Sequence, residues 1–189
     1  MMNTLSDIEI IELIKNGNEA NYAIIVDRYK DKAYTLVNGI IKNDMESEEI
    51  LQDCFLKAFN SLNKFRNESK FSTWFYRIVY NTSLTRINNK KRRFESNFKS
   101  FDEFEKTIIN NSVNDFRNSD LSKKLSLIIG KLPSNYSSVI NLHYLEQMSC
   151  DEIGTIIGLS VSNVKVLLYR ARKALRKIVF ENNYKVELL

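Results

Sequence analysis

The sequence predicts an all-α protein made of two small helical domains that a flexible linker joins. Only one proline and five glycines occur among the 189 residues, so a helix must break at few positions. Apolar residues recur at helical three- and four-residue steps through most of the chain, and long alternating strand patterns are absent. A hydrophobic share of 43% with 27% charged residues suits packed cores under a charged surface.

Four helices are predicted in the first domain, residues 1–93. Ser6 is a suitable N-cap for the first helix, and Gly17 follows its end. Asp44 or Ser47 begins the third helix, and Ser72 begins the fourth. The predicted bounds are about 6–16, 19–42, 44–62 and 72–93. Residues 62–70, between the last two, are predicted to form a polar loop with Phe65 exposed in its middle.

The third helix has an acidic side opposite its apolar face. Its acidic and amide residues there are Glu46, Glu48, Glu49, Gln52 and Asp53. Carboxylates near a helix N-terminus are stabilised by the helix dipole, which is the simple structural explanation for this pattern. A protein-binding surface is the functional alternative.

The fourth helix mixes aromatic and basic residues and ends in the basic run 90–93. This combination suits single-stranded nucleic acid, because bases stack on rings while cations hold phosphates. Trp74 is expected in the core. The better candidates for base contact are Tyr76, Tyr80 and Phe65.

The character of the sequence changes after residue 93. Residues 94–120 are rich in Asn, Ser and acidic residues and show no sustained period, which indicates a flexible linker, with room for a short helix near 101–109. The second domain, residues 121–189, begins with a helix that stops at Leu132-Pro133. A helix from Tyr136 to Gln147 follows.

The stretch 149–177 has the pattern of a helix-turn-helix. Ser149 and Glu152 form a capping box, Gly158 suits the turn, and Ser160 can cap the second helix. That helix carries a buried stripe at Val161, Val164, Leu168, Ala171, Leu175 and Ile178, with basic residues on its other faces. The pattern predicts that its N-terminal end enters the major groove of DNA. The alternative is a solvated basic helix in an ordinary helical core.

Composition narrows the class of protein further. The net charge of +5 is modest, but basic residues cluster at 86–93 and in the last helix, which favours a polyanionic partner. Cys54 and Cys150 are expected to be free thiols, and His143 is the only histidine, so no metal site or cofactor is predicted. The acidic N-terminus does not resemble a signal peptide, and no apolar run approaches the ~20 residues of a membrane span. A cytoplasmic protein without membrane insertion is expected.

Several stretches, in order, resemble the extracytoplasmic-function (ECF) group of the sigma-70 family of bacterial RNA polymerase sigma factors. Residues 46–55, ESEEILQDCF, are similar to the family pattern D-A-E-D-L-V-Q-E-V-F. Residues 65–75, FRNESKFSTWF, are similar to F-R-G-x-S-x-F-x-T-W-L. Leu132-Pro133, residues 151–153 and residues 164–175 follow the pattern of region 4. The resemblance covers nearly the whole chain apart from the linker.

The resemblance implies a transcription initiation factor that binds core RNA polymerase, reads the −10 and −35 promoter elements, helps DNA melting and is not itself an enzyme. The polymerase-binding residues would be Glu48, Glu49, Gln52 and Asp53, docked on the β′ clamp helices, with the β flap as a further contact. The loop 63–70 would capture a flipped base of the −10 element. Together with the aromatic candidates, the predicted −10 contacts are Phe65, Arg66, Asn67, Tyr76, Tyr80, Asn81, Arg86 and Lys90.

The −35 element would be read by the last helix. The best-placed residues for base edges are Ser162, Asn163 and Lys165, and those for phosphates are Arg170 and Arg172. A cognate anti-sigma factor is a further implied partner. Five positions depart from the family pattern, namely Asn67 for Gly, Thr85 for Asp, Gly154 for Ala, Val166 for a small polar residue and Leu167 for Arg.

Two other classes of protein account for less of the sequence. A helix-turn-helix repressor or activator with an N-terminal sensing domain explains residues 149–177 equally well, but it does not explain an acidic helix followed by an aromatic and basic one. A metal-dependent nuclease is excluded by the lack of a suitably spaced carboxylate or histidine cluster.

Overall fold

The computed structural model describes residues 5–97 and 128–181, and all regular elements within them are helical. The first part contains α1 (Asp7–Lys15), α2 (Tyr22–Ile41), α3 (Asp44–Ser61) and α4 (Phe71–Asn97), with short 3-10 turns at Glu19–Asn21 and Leu62–Lys64. The second contains α5 (Ser134–Ile140), a π-helical turn (Asn141–Leu145), α6 (Cys150–Ile157) and α7 (Val161–Glu181). The prediction of an all-α fold is confirmed. Most of the predicted linker and of the first helix after it lies outside the described residues.

The caps explain where the helices begin and end. Ser6 caps α1 as predicted, since its Oγ accepts from the Glu9 N–H while the Glu9 carboxylate accepts from the Ser6 N–H. Lys42 ends α2 in the left-handed conformation. α3 begins at Asp44, one of the two predicted starts, and Asn43 caps it by accepting from the Glu46 N–H at 3.0 Å. The predicted single helix 136–147 is instead α5 followed by the π-helical turn.

Aromatic rings fill the core of the first part. Phe55 and Phe75 stack with ring centroids 4.9 Å apart, and Tyr29 meets Phe71 and Phe75 edge-on at 5.5 and 5.6 Å. Such pairs each add about 0.5–1.5 kcal/mol to the free energy of simple burial. The ring cluster holds α2, α3 and α4 together.

Phe65 belongs to this core, so the prediction that it is exposed is wrong. Its side chain is 4% exposed, and its ring packs at 5.7 Å from Phe71 and 5.3 Å from Trp74. Lys15 Nζ donates to the Phe65 carbonyl at 2.8 Å. The ring turns inward because the chain passes directly over the apolar start of α4, a contact that a polar local sequence does not reveal.

The two parts of the described chain pack on each other and share one continuous core. α2 lies against α5, and α4 lies against α6. Polar contacts cross the same boundary, since Lys42 Nζ donates to the Leu132 carbonyl at 2.6 Å and Ser134 Oγ donates to the Ile40 carbonyl at 3.0 Å. No single described helix is long and apolar enough to cross a membrane, and α6 and α7 reach that length only together, across a 97° bend.

A buried carboxylate ties α3 to α4. Glu46 is 9% exposed, and it accepts from Arg86 Nε at 2.8 Å and from Lys90 Nζ. Arg86 also donates to Glu49 at 3.1 Å. Burial alone raises the pKa of Glu46, but the hydrogen bonds and charges of Lys90 and Arg86 outweigh burial and leave its pKa below the ordinary value.

Substituting Glu46 should therefore destabilise the protein in a pH-dependent way. We expect Glu46→Gln to lower the free energy of unfolding by roughly 1–3 kcal/mol at pH 7, because charge-assisted hydrogen bonds are lost inside a partly closed site. A carboxylate with a depressed native pKa stabilises the fold above its unfolded pKa, and this contribution is lost as the pH falls through the native pKa. The difference in stability between Glu46→Gln and wild type should therefore shrink as the pH falls below 4.5, the ordinary pKa of a glutamate.

Urea unfolding at several pH values measures this difference. Glu48→Gln is the matched control, because Glu48 is exposed on the same helix and its substitution should change stability by less than about 0.5 kcal/mol. A Glu46→Gln penalty that stays constant from pH 7 to pH 3 would contradict the ion-pair explanation.

Candidate DNA and protein interfaces

The helix-turn-helix has the predicted caps and turn. Ser149 and Glu152 form a reciprocal capping box, with Ser149 Oγ accepting from the Glu152 N–H at 3.2 Å and the Glu152 carboxylate accepting from the Ser149 N–H at 2.9 Å. The Ser149 backbone donor is the main cause of the lowered pKa of Glu152. Gly158 ends α6 at φ +74°, and Ser160 Oγ accepts from the Asn163 N–H at 3.3 Å. α6 and α7 meet at 97°, a typical angle for this motif.

The geometry of the turn between α6 and α7 explains why residue 154 is a glycine. A Cβ at this position would lie 2.6 Å from the carbonyl oxygen of Leu159, so any side chain requires the backbone to shift. The Leu159 N–H donates back to the Gly154 carbonyl at 3.1 Å. From the sequence, this glycine is only a helix-weakening departure from the family pattern.

The buried stripe of α7 is shorter than predicted. Val164, Leu168 and Ala171 are buried, whereas Leu175 and Ile178 are half-buried. Val161, the predicted start of the stripe, is 37% exposed because it stands at the first position of the helix, beyond the contact with α6. Leu167 is half-buried against the core, so this departure from the family's Arg serves packing.

The predicted −35 contacts form an exposed surface on α7. All five are open to solvent, namely Ser162, Asn163, Lys165, Arg170 and Arg172. The first three lie in the first two turns, where the helix dipole is positive. Arg172 is positioned by Tyr144, since its Nε donates to the Tyr144 hydroxyl at 2.5 Å and its guanidinium lies 5.5 Å from the ring centroid. No local pattern in the sequence indicates this pair.

The predicted polymerase contacts form an acidic stripe on α3, which we define as Glu48, Glu49, Gln52 and Asp53. All four side chains are exposed. Met45 and Leu56 flank the stripe and are 79% and 61% exposed. With these two side chains the stripe offers apolar area as well as charge, both of which a protein-binding surface uses. Met45 precedes Glu49 by four residues and Leu56 follows Gln52 by four, so helical periodicity in the sequence places both beside the stripe.

The predicted −10 contacts are not all accessible. Exposed side chains are those of Arg66, Asn67, Asn81, Arg86 and Lys90, and Tyr80 is half-buried. Asn67 adopts φ +59°, a left-handed conformation that glycine favours and asparagine tolerates, so this departure from the family pattern keeps the loop geometry. Arg86 and Lys90 are engaged with Glu46, which the charge pattern alone does not show.

Tyr76 and Phe65 are buried, which contradicts their prediction as surface contacts in this arrangement. Tyr76 is fully buried, and its hydroxyl donates to the Glu146 carboxylate at 2.6 Å. Burial, and then the charge of Glu146, raise the pKa of Tyr76 above its ordinary value. A base could reach this ring only if Glu146 moved away.

Within residues 5–97 and 128–181, no group of three or more His, Cys, Asp or Glu side chains is placed to hold a metal ion. Cys54 and Cys150 are free thiols, as expected.

Comparison with known proteins identifies the two parts of the chain. Residues 25–94 match the family Sigma-70 region 2, and residues 122–175 match Sigma-70, region 4. The ECF RNA polymerase sigma factor SigW of Bacillus subtilis is 36% identical over 174 residues, which are 88% of this chain and 93% of the relative. The ECF RNA polymerase sigma-E factor of Escherichia coli K12 is 29% identical over 182 residues, covering 93% and 95%.

Two solved structures share the fold. CnrH, in complex with the cytosolic domain of CnrY, matches with a TM-score of 0.63 at 21% identity, covering 91% of this chain and 96% of that one. The sigma factor RpoE of Bartonella quintana, in complex with the anti-sigma factor NepR, matches with a TM-score of 0.68 at 17% identity, covering 88% and 98%.

The two family matches stand in the expected order, and the SigW match extends over nearly the whole of both chains. The chain therefore belongs to the ECF group of sigma-70 family factors, the transcription initiation factors that direct bacterial RNA polymerase to specific promoters.

Proposed function

We propose that this sigma factor divides its work between two domains, residues 1–93 and 121–189, which the segment 94–120 connects. The first binds core polymerase and the −10 element, and the second binds the −35 element. The observation that carries this proposal is the charge separation between an exposed acidic stripe on α3 and an exposed basic surface on α7. Each sign of charge suits a different partner, protein in one case and DNA in the other.

Core polymerase is the partner of the acidic stripe. The resemblance to the family points to the β′ clamp helices, and to the β flap as a further contact of the second domain. Met45 and Leu56 supply apolar area at either end of the stripe, while the carboxylates between them give orientation and steer association. Because Glu49 also accepts a hydrogen bond from Arg86, Glu48 and Asp53 are the better carboxylates to substitute when the stripe is tested.

The −35 element is the partner of α7. Ser162, Asn163 and Lys165 reach base edges in the major groove, and Arg170 and Arg172 contact phosphates. Val166 and Tyr169 stand beside Lys165 and are 47% and 67% exposed, so an apolar contact to a thymine methyl group is available there. These two residues give this factor a −35 preference that family patterns do not supply.

The −10 element is the partner of the loop 63–70 and of α4. Arg66 and Asn67 stand at the exposed loop, and Asn81 lies along the helix. Holding an unstacked base in a pocket offsets part of the few kcal/mol that unstacking costs, which is how binding promotes melting. On binding DNA, Arg86 and Lys90 either leave Glu46 to contact the strand or contact the strand while still bound to Glu46.

Regulation and location follow from the same assignment. The named complexes of CnrH with CnrY and of RpoE with NepR support a cognate anti-sigma factor as a partner here. We place the protein in the cytoplasm, where core polymerase acts. The polymerase carries out the chemistry, so no catalytic residue is assigned to this chain.

Reconstitution tests the function as a whole. Purified protein mixed with sigma-free core polymerase from its own organism should initiate at a small set of genomic promoters, detected by start-site mapping. Core polymerase alone is the control. Initiation no different from that control would refute the proposal.

Charge reversal tests the acidic stripe. We expect Glu48→Lys with Asp53→Lys to weaken binding to core polymerase at least about tenfold, equivalent to ~1.4 kcal/mol, because two attractive charges become repulsive. Fluorescence anisotropy with labelled protein measures this. Binding to a −35 duplex should be unchanged. Glu12→Lys with Glu19→Lys, exposed but outside the stripe, is the matched control. Equal losses in both double variants would show a non-specific charge effect.

Truncation of Lys165 tests the reading of the −35 element. Lys165→Ala should cost roughly 1–3 kcal/mol on the preferred duplex and reduce discrimination at one base position, if its ammonium group bonds a base. Lys173→Ala, on the same helix but farther from its N-terminus, should leave sequence preference intact. A Lys165→Ala loss that is uniform across all duplexes would assign Lys165 to the phosphates.

A further inference from the structure

A tyrosine that precedes the helix-turn-helix shares its hydroxyl with one of the arginines of α7. The Tyr144 hydroxyl accepts from Arg172 Nε at 2.5 Å, and the guanidinium of Arg172 lies 5.5 Å from the centre of the Tyr144 ring. The hydroxyl and the ring thus contact the same guanidinium, which restricts the conformations open to a long side chain. An arginine that is already oriented loses less conformational freedom when it binds an anion.

Arg172 is held without being neutralised. Arg86 and Lys90 of the first half bind the carboxylate of Glu46, whereas the partner of Arg172 is a neutral hydroxyl. Tyr144 uses only Nε, so the donors of both terminal nitrogens of the guanidinium remain. Within residues 5–97 and 128–181 these donors have no acceptor, so the positive charge of Arg172 is available to a ligand.

The Tyr144 hydroxyl also has a proton to donate. Because its oxygen accepts from Arg172 Nε, its own O–H points to a different acceptor. None of the described residues supplies that acceptor, and Tyr144 is 51% exposed. The free donors of Tyr144 and Arg172 are separated by a single hydrogen bond, so one anionic group can accept from both of them.

A π-helical turn brings Tyr144 to α7. Tyr144 lies in the turn Asn141–Leu145, in which the Glu146 N–H donates to the Asn141 carbonyl, five residues earlier, at 3.1 Å. Such a turn holds more residues than an α-helical turn, so the side chains that it carries are rotated from their α-helical positions. Short π-helical turns are frequent at functional sites.

The same turn begins where the second half packs closely on α2. A Cβ at Gly39 would lie 2.4 Å from Ser137 Oγ and 3.0 Å from Asn141 Nδ2, and Asn141 Nδ2 donates to the Thr35 carbonyl at 3.3 Å. Ser137 and Asn141 are both buried. The first residue of the turn is therefore fixed in place.

The Tyr144 ring is held by its neighbour in the sequence. His143 packs edge-on against it with ring centroids 4.9 Å apart. His143 Nδ1 lies 3.0 Å from the Met148 carbonyl oxygen, and since a carbonyl can only accept, Nδ1 donates. Tyr144 thus stands on a rigid support even though half of it faces solvent.

The place of Arg172 on α7 suits a phosphate and not a base. Arg172 follows Lys165, which is proposed to read a base edge, by seven residues, so it lies about 10 Å farther along the helix on nearly the same side. The major groove that receives the start of α7 is about 12 Å wide. A side chain that far from the base-reading residues reaches the sugar-phosphate edge of the groove.

We propose that Tyr144 and Arg172 form a clamp for one DNA phosphate, in which the Tyr144 hydroxyl donates to the same phosphate as the Arg172 guanidinium. The proposal rests on the −35 role assigned to α7 above. It adds to the DNA-binding surface a residue from outside the helix-turn-helix. Because the clamp bonds a phosphate and no base, it strengthens binding to all sequences alike and fixes the register of α7 on the duplex.

Neutralising single phosphates tests the clamp in the holoenzyme. The full chain is assembled with core polymerase and bound to promoter duplexes that carry one methylphosphonate at a time through the −35 segment. On the unmodified duplex, Tyr144→Phe should weaken binding about three- to tenfold and Arg172→Ala at least about tenfold, because hydrogen bonds to a charged phosphate are lost. At one position, the methylphosphonate should remove most of both losses, because the clamp no longer meets a charged group there.

Tyr136→Phe is the matched control. Tyr136 lies beside Arg170, and a step of two residues places Arg170 and Arg172 on opposite sides of α7. Its substitution should change binding by less than about twofold on every duplex. Each comparison between duplexes is made within one variant, so a change in the folded fraction of that variant cancels.

A Tyr144→Phe loss of equal size on all duplexes would show a purely structural role and overturn the clamp. In an Arg172→Ala background, Tyr144→Phe should still cost about two- to fivefold, because its hydroxyl donates to the phosphate directly. No further loss there would contradict that direct contact. If Arg172→Ala itself binds as wild type does, the −35 phosphate role fails and the clamp with it. If only Tyr144→Phe binds as wild type does, the −35 role stands and the clamp alone is refuted.

Discussion

The packing of α2 against α5 requires that residue 39 have no side chain, and the relation between the two halves depends on that requirement. A glycine inside a helix costs about 1 kcal/mol relative to alanine, so α2 is weakened where α5 approaches it. In return, the buried residues of both halves join in one core, and Glu146 reaches Tyr76. The same close approach leaves Ser137 Oγ and Asn141 Oδ1 without partners. The contact is thus held by a shared apolar core, by close packing at Gly39 and by a few polar contacts.

Charge is distributed so that each surface of this sigma factor suits a different polymer. The acidic stripe of α3 is exposed between Met45 and Leu56, and the basic residues of α7 are exposed as well. Other charged residues pair with each other within the protein: Glu46 binds Arg86 and Lys90, and Glu152 binds Lys70. Three basic residues of the first half, Lys70, Arg86 and Lys90, are thus paired with carboxylates in this arrangement.

Most of the helices could be predicted from the sequence, because their signals are local. Ser6, Ser149 and Ser160 cap helices through hydrogen bonds to residues three positions later, and Gly158 ends α6 through its own backbone conformation. The exposure of the stripe on α3 and of the basic residues on α7 follows from helical periodicity. Local signals do not show every change of helix type, as the π-helical turn after α5 illustrates.

By itself, the sequence determined the all-helical class, the helix-turn-helix, the acidic and basic faces and the family, since each depends on neighbours along the chain or on ordered motifs. Only the tertiary structure decided that Phe65 and Tyr76 are buried, that Glu46 holds Arg86, and that Gly39 serves a contact with Ser137. Two of these contacts join residues that are 40 and 98 positions apart, Glu46 with Arg86 and Gly39 with Ser137. No local propensity records such distant pairs, because the free energy that selects them comes from packing of whole helices and not from the order of adjacent residues.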